Sequence, residues 1–306
     1  MSFTDTFQTK SYYSHYEQYK KYACGGENEP QARTWLTGDT VDAWRHQRMY
    51  RLLDPILTAE PKARWLTVGD GRYGNDAKYI SNNGGHALAS DISDYLLKEA
   101  KNIGYIAQYK KENAEALSFQ DAEFDYVLCK ESYHHFPRPM MALYEMLRVA
   151  SKGVVLIEPN DRYINNSVLR VLARNIKDKI EWLLHRKTKR HAFEDSGNYV
   201  FSISRREIEK VALGTNYKAV AFKGFNDVYL AGAEYEKLAA KGPLQARINL
   251  LIRRADGLCN LGIRDYGMLA AIIFKEEPSK TLLRHLAAIG YEIIELPENP
   301  YVSSAV

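Results

Sequence analysis

Cysteine is scarce in this 306-residue chain, which has only Cys24, Cys129 and Cys259, far apart. An odd, scattered set excludes a disulfide framework and argues against a cysteine-based zinc site. No apolar run approaches the ~18 residues needed to span a bilayer. The first residues, MSFTDTFQTKSYYSHYEQYKKY, are polar and rich in tyrosine, without the apolar core of a signal peptide. An excess of one charge is also lacking. The 42 Lys+Arg stand against 38 Asp+Glu, a net +4 too small to imply a nucleic-acid partner by itself. Repeats and low-complexity tracts are absent. Together these absences point to a reducing, cytoplasmic setting. What remains is ordinary for a globular enzyme: 45% hydrophobic and 26% charged residues, in a chain long enough for one large domain with extensions.

Residues 1–60 read as a polar helical extension, with Trp44, Met49, Leu52, Leu53, Ile56 and Leu57 on one helical face. From residue 61 the pattern changes to short apolar runs alternating with amphipathic stretches. The runs ARWLTV, HALASD, YIAQYKK, FDYVLCK, GVVLIEP, YKAVAFKGFN and YGMLAAIIFKE give seven strands. Strands alternating with helices at this spacing predict an α/β, Rossmann-like, mostly parallel sheet with helices on both faces. Asn75 to Ser81 and Asp94 to Asn102 are expected helices, Ser204 is expected to cap a third through Leu213, and Ala231 to Leu261 to form a fourth. Between about 160 and 198 the alternation lapses. Val168, Leu172, Ile176, Ile180 and Leu184 recur every fourth residue, and a basic run follows, His185 to His191. This is a helical insertion after the fifth strand, expected to cover the mouth of the site. The sheet-forming domain is expected over residues 61–275, and residues 276–306 form a C-terminal extension with a helix and a short strand.

Ligands of such sheets bind beyond the carboxyl ends of the strands. There the chain places Gly69-Asp70-Gly71-Arg72-Tyr73-Gly74 between a strand and a helix. Glycine lets the backbone turn sharply and a ligand approach without a Cβ in the way, and a helix N-terminus offers oriented N–H groups. The same pattern serves NAD, FAD and S-adenosylmethionine, or no ligand at all. Asp91, at the end of the second strand, lies where an acid accepts ribose hydroxyls. Its competing role is an N-cap, for which Ser93 and Asp94 also stand ready.

The segments WLTVGDGRYG, ASDIS, NAEALSF and above all FDYVLCKESYHHFPRPMMALYEMLRVASKGVVLIEP resemble class I S-adenosylmethionine-dependent methyltransferases, in the branch with a His-His pair after the fourth strand. The resemblance runs from Ala63 to Pro159 and more weakly to Phe225. It implies that Gly69, Asp70 and Gly71 pass under the amino-acid part of S-adenosylmethionine, that Asp91 holds the ribose and that Ile92 packs on adenine. Asn113, Ala114 and Glu115 would read the adenine edge. Lys130 and Glu131 would face the methionine end. The chain departs from the family in two places: Thr67 stands where an acid is common, and Arg72-Tyr73 replace part of a tighter Gly-x-Gly-x-Gly turn.

If the acceptor is a hydroxyl, a general base assists, and His134 or His135 is the leading candidate, the other being structural. Asp161, with Glu158 in the same EPND segment, lies at the carboxyl edge as a second candidate for base or substrate binding. No set of convergent oxygen ligands marks a metal site. The block GNYVFSISRREIEKVA followed by AFKGFND loosely resembles methyltransferases of bacterial surface-polysaccharide pathways. The expected acceptor is therefore a small polar molecule, a sugar or glycan, with the basic insertion read as a solvated face, a site for an acidic or phosphorylated substrate, or, ranked last, an RNA contact. Competing functions are a non-catalytic S-adenosylmethionine-binding scaffold and a nicotinamide-dependent oxidoreductase. The His-His-Phe to Glu-Pro block counts against the oxidoreductase.

Overall fold

A computed structural model describes residues 3–161, 168–183, 192–194 and 198–301. Four helices come first: α1 (Phe3–Lys20), α2 (Glu29–Thr34), α3 (Val41–Tyr50) and α4 (Asp54–Ala59). Thr40 starts α3 by accepting the Ala43 N–H at 3.1 Å. Then β1 (Arg64–Val68), α5 (Asn75–Asn82), β2 (His86–Asp91), α6 (Tyr95–Asn102), β3 (Tyr109–Lys111), β4 (Phe124–Lys130), α7 (Pro139–Val149) and β5 (Ala150–Pro159) alternate. After α8 (Val168–Leu183) come α9 (Arg205–Gly214), β6 (Ala219–Phe225), α10 (Pro243–Asn260), β7 (Met268–Phe274), α11 (Lys280–Ala288) and β8 (Glu292–Glu295). The expected cap is present: Ser204 Oγ accepts the Glu207 N–H at 3.1 Å and opens α9.

All the strands form one sheet in the order β3-β2-β1-β4-β5-β7-β6-β8. Strands β1 to β5 pair in parallel, and β7 runs antiparallel between β5 and β6. A dinucleotide-binding sheet places β6 directly beside β5, so the reversed β7 sets this sheet apart. The sequence reading of seven strands is corrected to eight, because β8 pairs antiparallel with β6. Lys218 and Glu298 reinforce that edge with an ion pair at 2.7 Å.

The central strands read as nearly continuous apolar runs because both faces are covered. Alternate residues serve opposite faces. Val127 and Cys129 of β4 join Met146 of α7 and Val211 of α9 on one side. Tyr126 and Leu128 join Ile56 of α4 and Leu286 of α11 on the other. Trp65 stacks on Tyr126 there at 4.9 Å between ring centroids.

Two further spans differ from expectation. Residues 231–242 are turns with a short 3-10 segment rather than helix, since Gly232 takes φ 95° and Pro243 opens α10 only at its own position. Strand β3 keeps only three of its expected residues. Helix α8 forms as the periodicity implies, and Leu172, Ile176 and Ile180 are exposed along it. Leu184 and the basic run His185 to His191 lie outside the described residues, as does most of the loop between Asp161 and α8. Among the described residues, no helix is long and apolar enough to cross a membrane.

Candidate functional site

Strand β1 lies between β2 and β4, and the chain leaves it toward opposite sides of the sheet. A crevice opens at such a reversal. Here it is a cavity of about 680 Å³ at the carboxyl ends of β1, β2 and β4, roofed by α1 and α3.

The loop after β1 is shaped by close contacts. Gly69 takes φ 77°, and a Cβ there would fall 2.3 Å from Ser132 Cβ. A Cβ on Gly71 would fall 2.8 Å from Asp91 Oδ2 and 2.8 Å from Tyr19 Cζ. Tyr73 holds φ 58°, the left-handed region that favours glycine, at the position where the family turn has its third glycine. Its ring is fully buried among Ala77, Leu96 and Leu97, and that packing offsets the strain.

The departure at Thr67 is explained by Asp70. The Asp70 carboxylate accepts the Thr67 hydroxyl at 2.8 Å and the N–H groups of Asp76 and Ala77 at 3.1 and 2.9 Å. The acid thus caps the first turn of α5, three residues after the position where the family carries one. Burial, and then the neighbouring Asp76 charge, push the Asp70 carboxyl well above the usual carboxylate range.

Asp91 does not cap α6, whose N-cap residue is Asp94. Its Oδ1 accepts the Ser93 N–H at 2.8 Å. Burial pushes its pKa up to about 7, against hydrogen bonds from the backbone of Ser93, Gly71 and Ile92. Asn113 Oδ1 accepts the Glu115 N–H at 3.0 Å and shapes the loop after β3. The Glu115 carboxylate binds Arg138 through its N–H and Nε, at 2.7 and 2.6 Å, and accepts the Tyr12 hydroxyl of α1 at 2.6 Å. That contact ties α1 across the cavity.

The end of β4 carries the charged and titratable groups. Lys130 Nζ lies 3.3 Å from Asp76 and 3.2 Å from His46 Nδ1. Glu131 takes φ 51° and lies 3.4 Å from His46. The register of β4 against β5 pairs Lys130 with Ile157, which brings the following turn over Glu158. Glu158 is fully buried. Its Oε1 accepts the N–H groups of Ser132 and Tyr133 at 2.8 and 2.9 Å, and its Oε2 accepts Nδ1–H of His134 at 2.7 Å. Burial opposes protonation of His134, but the Glu158 charge and hydrogen bond outweigh it and raise the pKa above the usual histidine value. His135 instead turns its Nδ1 to Glu194, and Asn198 donates to its carbonyl at 2.8 Å and to His15 of α1 at 3.0 Å.

Gly69, Asp70, Asp91, Ile92, Asn113, Ala114, Glu115, Lys130, Glu131, His134 and His135 all line the cavity. Gly71 sits just behind, covered by Tyr19. Asp161 and Glu158 are not among the lining residues. The Asp161 N–H bonds the Ile203 carbonyl at 2.8 Å. The far wall is built by α3, whose Arg45, His46 and Tyr50 the sequence offers as candidate closers of the pocket, and by the segment after β6, which the sequence does not mark. There Arg45 is buried between Asp42 and Asp227, and Tyr229 bonds Glu234. Tyr50 donates to Asp76 at 2.9 Å. His46 is held neutral by burial and by Lys130, Arg72 and Arg45 around it. Among the described residues no group of three or more His, Cys, Asp or Glu is arranged to hold a metal ion.

These residues fit a nucleoside cofactor. The close approach of Gly71 to the buried Asp91 carboxylate sets an acid at the glycine turn, and Asp91 and Ile92 both face the cavity.

The methyltransferase-domain family model matches residues 66–157. An uncharacterized protein of Mycobacterium tuberculosis is 32% identical over 127 residues, 39% of this chain and 45% of that protein. A demethylmenaquinone methyltransferase of Renibacterium salmoninarum is 30% identical over 122 residues, 40% of this chain and 51% of that protein. The chain thus spans about half the length of the curated relatives it matches. Among solved structures, a SAM-dependent methyltransferase from Methanosarcina mazei aligns over 73% of this chain and 98% of its own, at 15% identity and a TM-score of 0.46. A SAM-dependent methyltransferase from Thermotoga maritima, described as a possible histamine N-methyltransferase, aligns over 74% and 88%, at 14% identity and a TM-score of 0.43. The match to the methyltransferase-domain family model falls on the parallel strands β1 to β5 and the cavity at their carboxyl ends.

Proposed function

We propose that this chain transfers a methyl group from S-adenosylmethionine to a hydroxyl of a small polar acceptor, a sugar or a sugar-containing molecule, with His134 as general base. The observation that carries this reading is the His134–Glu158 pair at 2.7 Å beside the cavity. When bound, S-adenosylmethionine supplies an electrophilic methyl carbon, to which the acceptor oxygen bonds as the carbon–sulfur bond breaks and its electron pair returns to sulfur, leaving S-adenosylhomocysteine. The chain's own work is positional and protonic. Glu158 fixes Nδ1–H of His134, so Nε2 is the edge that takes the hydroxyl proton. The imidazolium so formed is stabilised by the Glu158 charge. Asp91 would hold the ribose, and the backbone at Gly69 and Gly71 would admit the cofactor.

The lining supports a polar acceptor. Trp35 and Tyr229 offer aromatic faces, and Gln31, Asp42, Glu131 and Glu234 offer hydrogen-bonding groups. The Renibacterium relative is named for a quinone-type acceptor, and a naphthoquinol is therefore the competing acceptor. The test is a screen with methyl-labelled S-adenosylmethionine over sugars, nucleotide sugars and a naphthoquinol. Label in a sugar hydroxyl, with transfer slowed by about 10²- to 10⁴-fold in His134→Gln, is the expected result. Transfer to the quinol alone would overturn the polar acceptor. Tight S-adenosylhomocysteine binding with no transfer to any acceptor would favour a non-catalytic scaffold.

A further inference from the structure

Four cations line the cavity; two of them, Arg45 and Lys130, are answered by acids, and Lys78 lies over the Tyr105 ring. Arg45 is paired with Asp42 and Asp227, and Lys130 with Asp76. Arg72 is different. It follows Gly71 in the loop after β1, and its guanidinium carbon lies 4.7 Å from the centroid of the Trp35 ring. Its Nη1 lies 3.4 Å from His46 Nε2. Among the described residues no carboxylate comes within ion-pair distance of it, and its side chain is exposed. That exposure is to the cavity, whose wall it forms together with His46 and Trp35.

His46 supplies no counter-charge, since an imidazole is neutral or positive. A guanidinium carries five N–H donors in one plane. Resting on the indole occupies a face of that plane and leaves edge donors free for a planar acceptor. A guanidinium edge open to a cavity is available to an anion, and a ligand carboxylate answers it with two parallel hydrogen bonds.

We propose that Arg72 forms a carboxylate-binding subsite of this cavity, filled by a carboxylate of the acceptor or by that of the cofactor's amino-acid head. The subsite rests on the methyltransferase reading above. On the acceptor side it narrows the polar acceptor to a sugar acid. On the cofactor side it gives the altered glycine turn a task, because Arg72 adds a positive charge to it.

The experiment is calorimetry on the full chain, comparing wild type with Arg72→Gln and Arg72→Lys. S-Adenosylhomocysteine carries the carboxylate, and 5′-methylthioadenosine is the same nucleoside without the amino-acid head. Glucuronate and glucose are titrated onto protein loaded with S-adenosylhomocysteine. If the cofactor fills the subsite, Arg72→Gln weakens S-adenosylhomocysteine by about 10-fold or more while 5′-methylthioadenosine changes by less than about twofold. If the acceptor fills it, S-adenosylhomocysteine affinity holds, and glucuronate binds in preference to glucose and loses about 10-fold in the variant. In both cases Arg72→Lys recovers part of the loss, as a point charge without the planar fork. Equal weakening of both nucleosides would overturn the subsite, because Arg72 would then only shape the loop. Unchanged affinity for every ligand would overturn it too. A wild-type chain that binds neither nucleoside would instead remove the cofactor reading on which the subsite stands.

Discussion

His134 Nδ1 lies 2.7 Å from Oε2 of Glu158, a carboxylate with no solvent exposure that also accepts the N–H groups of Ser132 and Tyr133. The turn after β4 therefore closes around one acid from β5, and the acid sets both the tautomer and the basicity of the imidazole. A base works in its neutral form, so methyl transfer should rise with pH through a limb above the ordinary histidine pKa, because Glu158 raises the His134 value. In Glu158→Gln the largest raising influences are gone and burial is opposed only by the Glu131 and Glu194 charges, so the pKa falls. The limb should move to lower pH while the plateau falls by about 10²-fold or more. A plateau that falls with the limb unmoved would make Glu158 a fold residue only.

Asp91 gives a second pH signature. Burial holds its folded pKa at about 7, above the ordinary aspartate value of 3.8. A raised acid pKa means that the folded state binds the proton more tightly than the unfolded chain. Stability from this group is thus greatest at low pH and declines as pH rises from about 4 to about 7. Ribose recognition needs the ionised carboxylate, so affinity for S-adenosylhomocysteine should rise over the upper part of that window. Asp91→Asn should flatten both trends, gain stability without ligand at pH 8, and bind S-adenosylhomocysteine about 10-fold more weakly. Paired denaturation and calorimetry at pH 5 and pH 8 read both effects, and equal ligand affinity in the two proteins would confine Asp91 to the backbone bonds it already makes.

These two sites were legible in the sequence to different depths. Gly69 to Gly74 and Asp91 could be read because a turn and a strand end are local features with fixed spacing. His134 could be read as a candidate, but its partner could not be chosen between base and ligand roles until the β4–β5 register placed Glu158 beneath the turn. The pairings of the far wall were illegible for a simpler reason. Arg45 meets Asp227 across 182 positions, and Gln31 meets Glu234 across 203. Periodicity marks α3 as a helix with an apolar face, but it says nothing about which distant loop packs against its polar one. Asp70 shows the opposite case. It was assigned to the cofactor by resemblance, while its carboxylate is engaged with Thr67 and the start of α5, a task that only the coordinates reveal.

Tyr73 tests whether the altered turn is held by packing. At φ 58° the residue carries left-handed strain of about 1 kcal/mol. Glycine there would relieve that strain but delete a fully buried ring, at a cost of about 3–5 kcal/mol. Tyr73→Gly should therefore lose about 2–4 kcal/mol of unfolding free energy in urea. Tyr73→Phe should stay close to wild type, because the hydroxyl reaches Glu99 only at 3.5 Å. A Tyr73→Gly protein as stable as wild type would mean that the turn prefers glycine and that the ring adds nothing.

The last prediction concerns access to the site. The Tyr19 ring of α1 packs over Gly71 and beside Asp91, with Cζ 2.8 Å from where a Gly71 Cβ would stand. Tyr12 and His15 tether the same helix to Glu115 and Asn198, and Lys111 Nζ sits 3.8 Å from the Tyr16 ring centroid. A ligand that reaches the Gly71 backbone must displace the ring, and its exchange is then gated by the helix. Tyr19→Ala leaves the other tethers in place and should speed S-adenosylhomocysteine association and dissociation together, each by about 10-fold, with a smaller change in affinity. Stopped-flow fluorescence gives both rates. If dissociation alone accelerates, Tyr19 is a contact of the bound cofactor and not a gate. If association alone accelerates, the ring competes with the ligand for the same space.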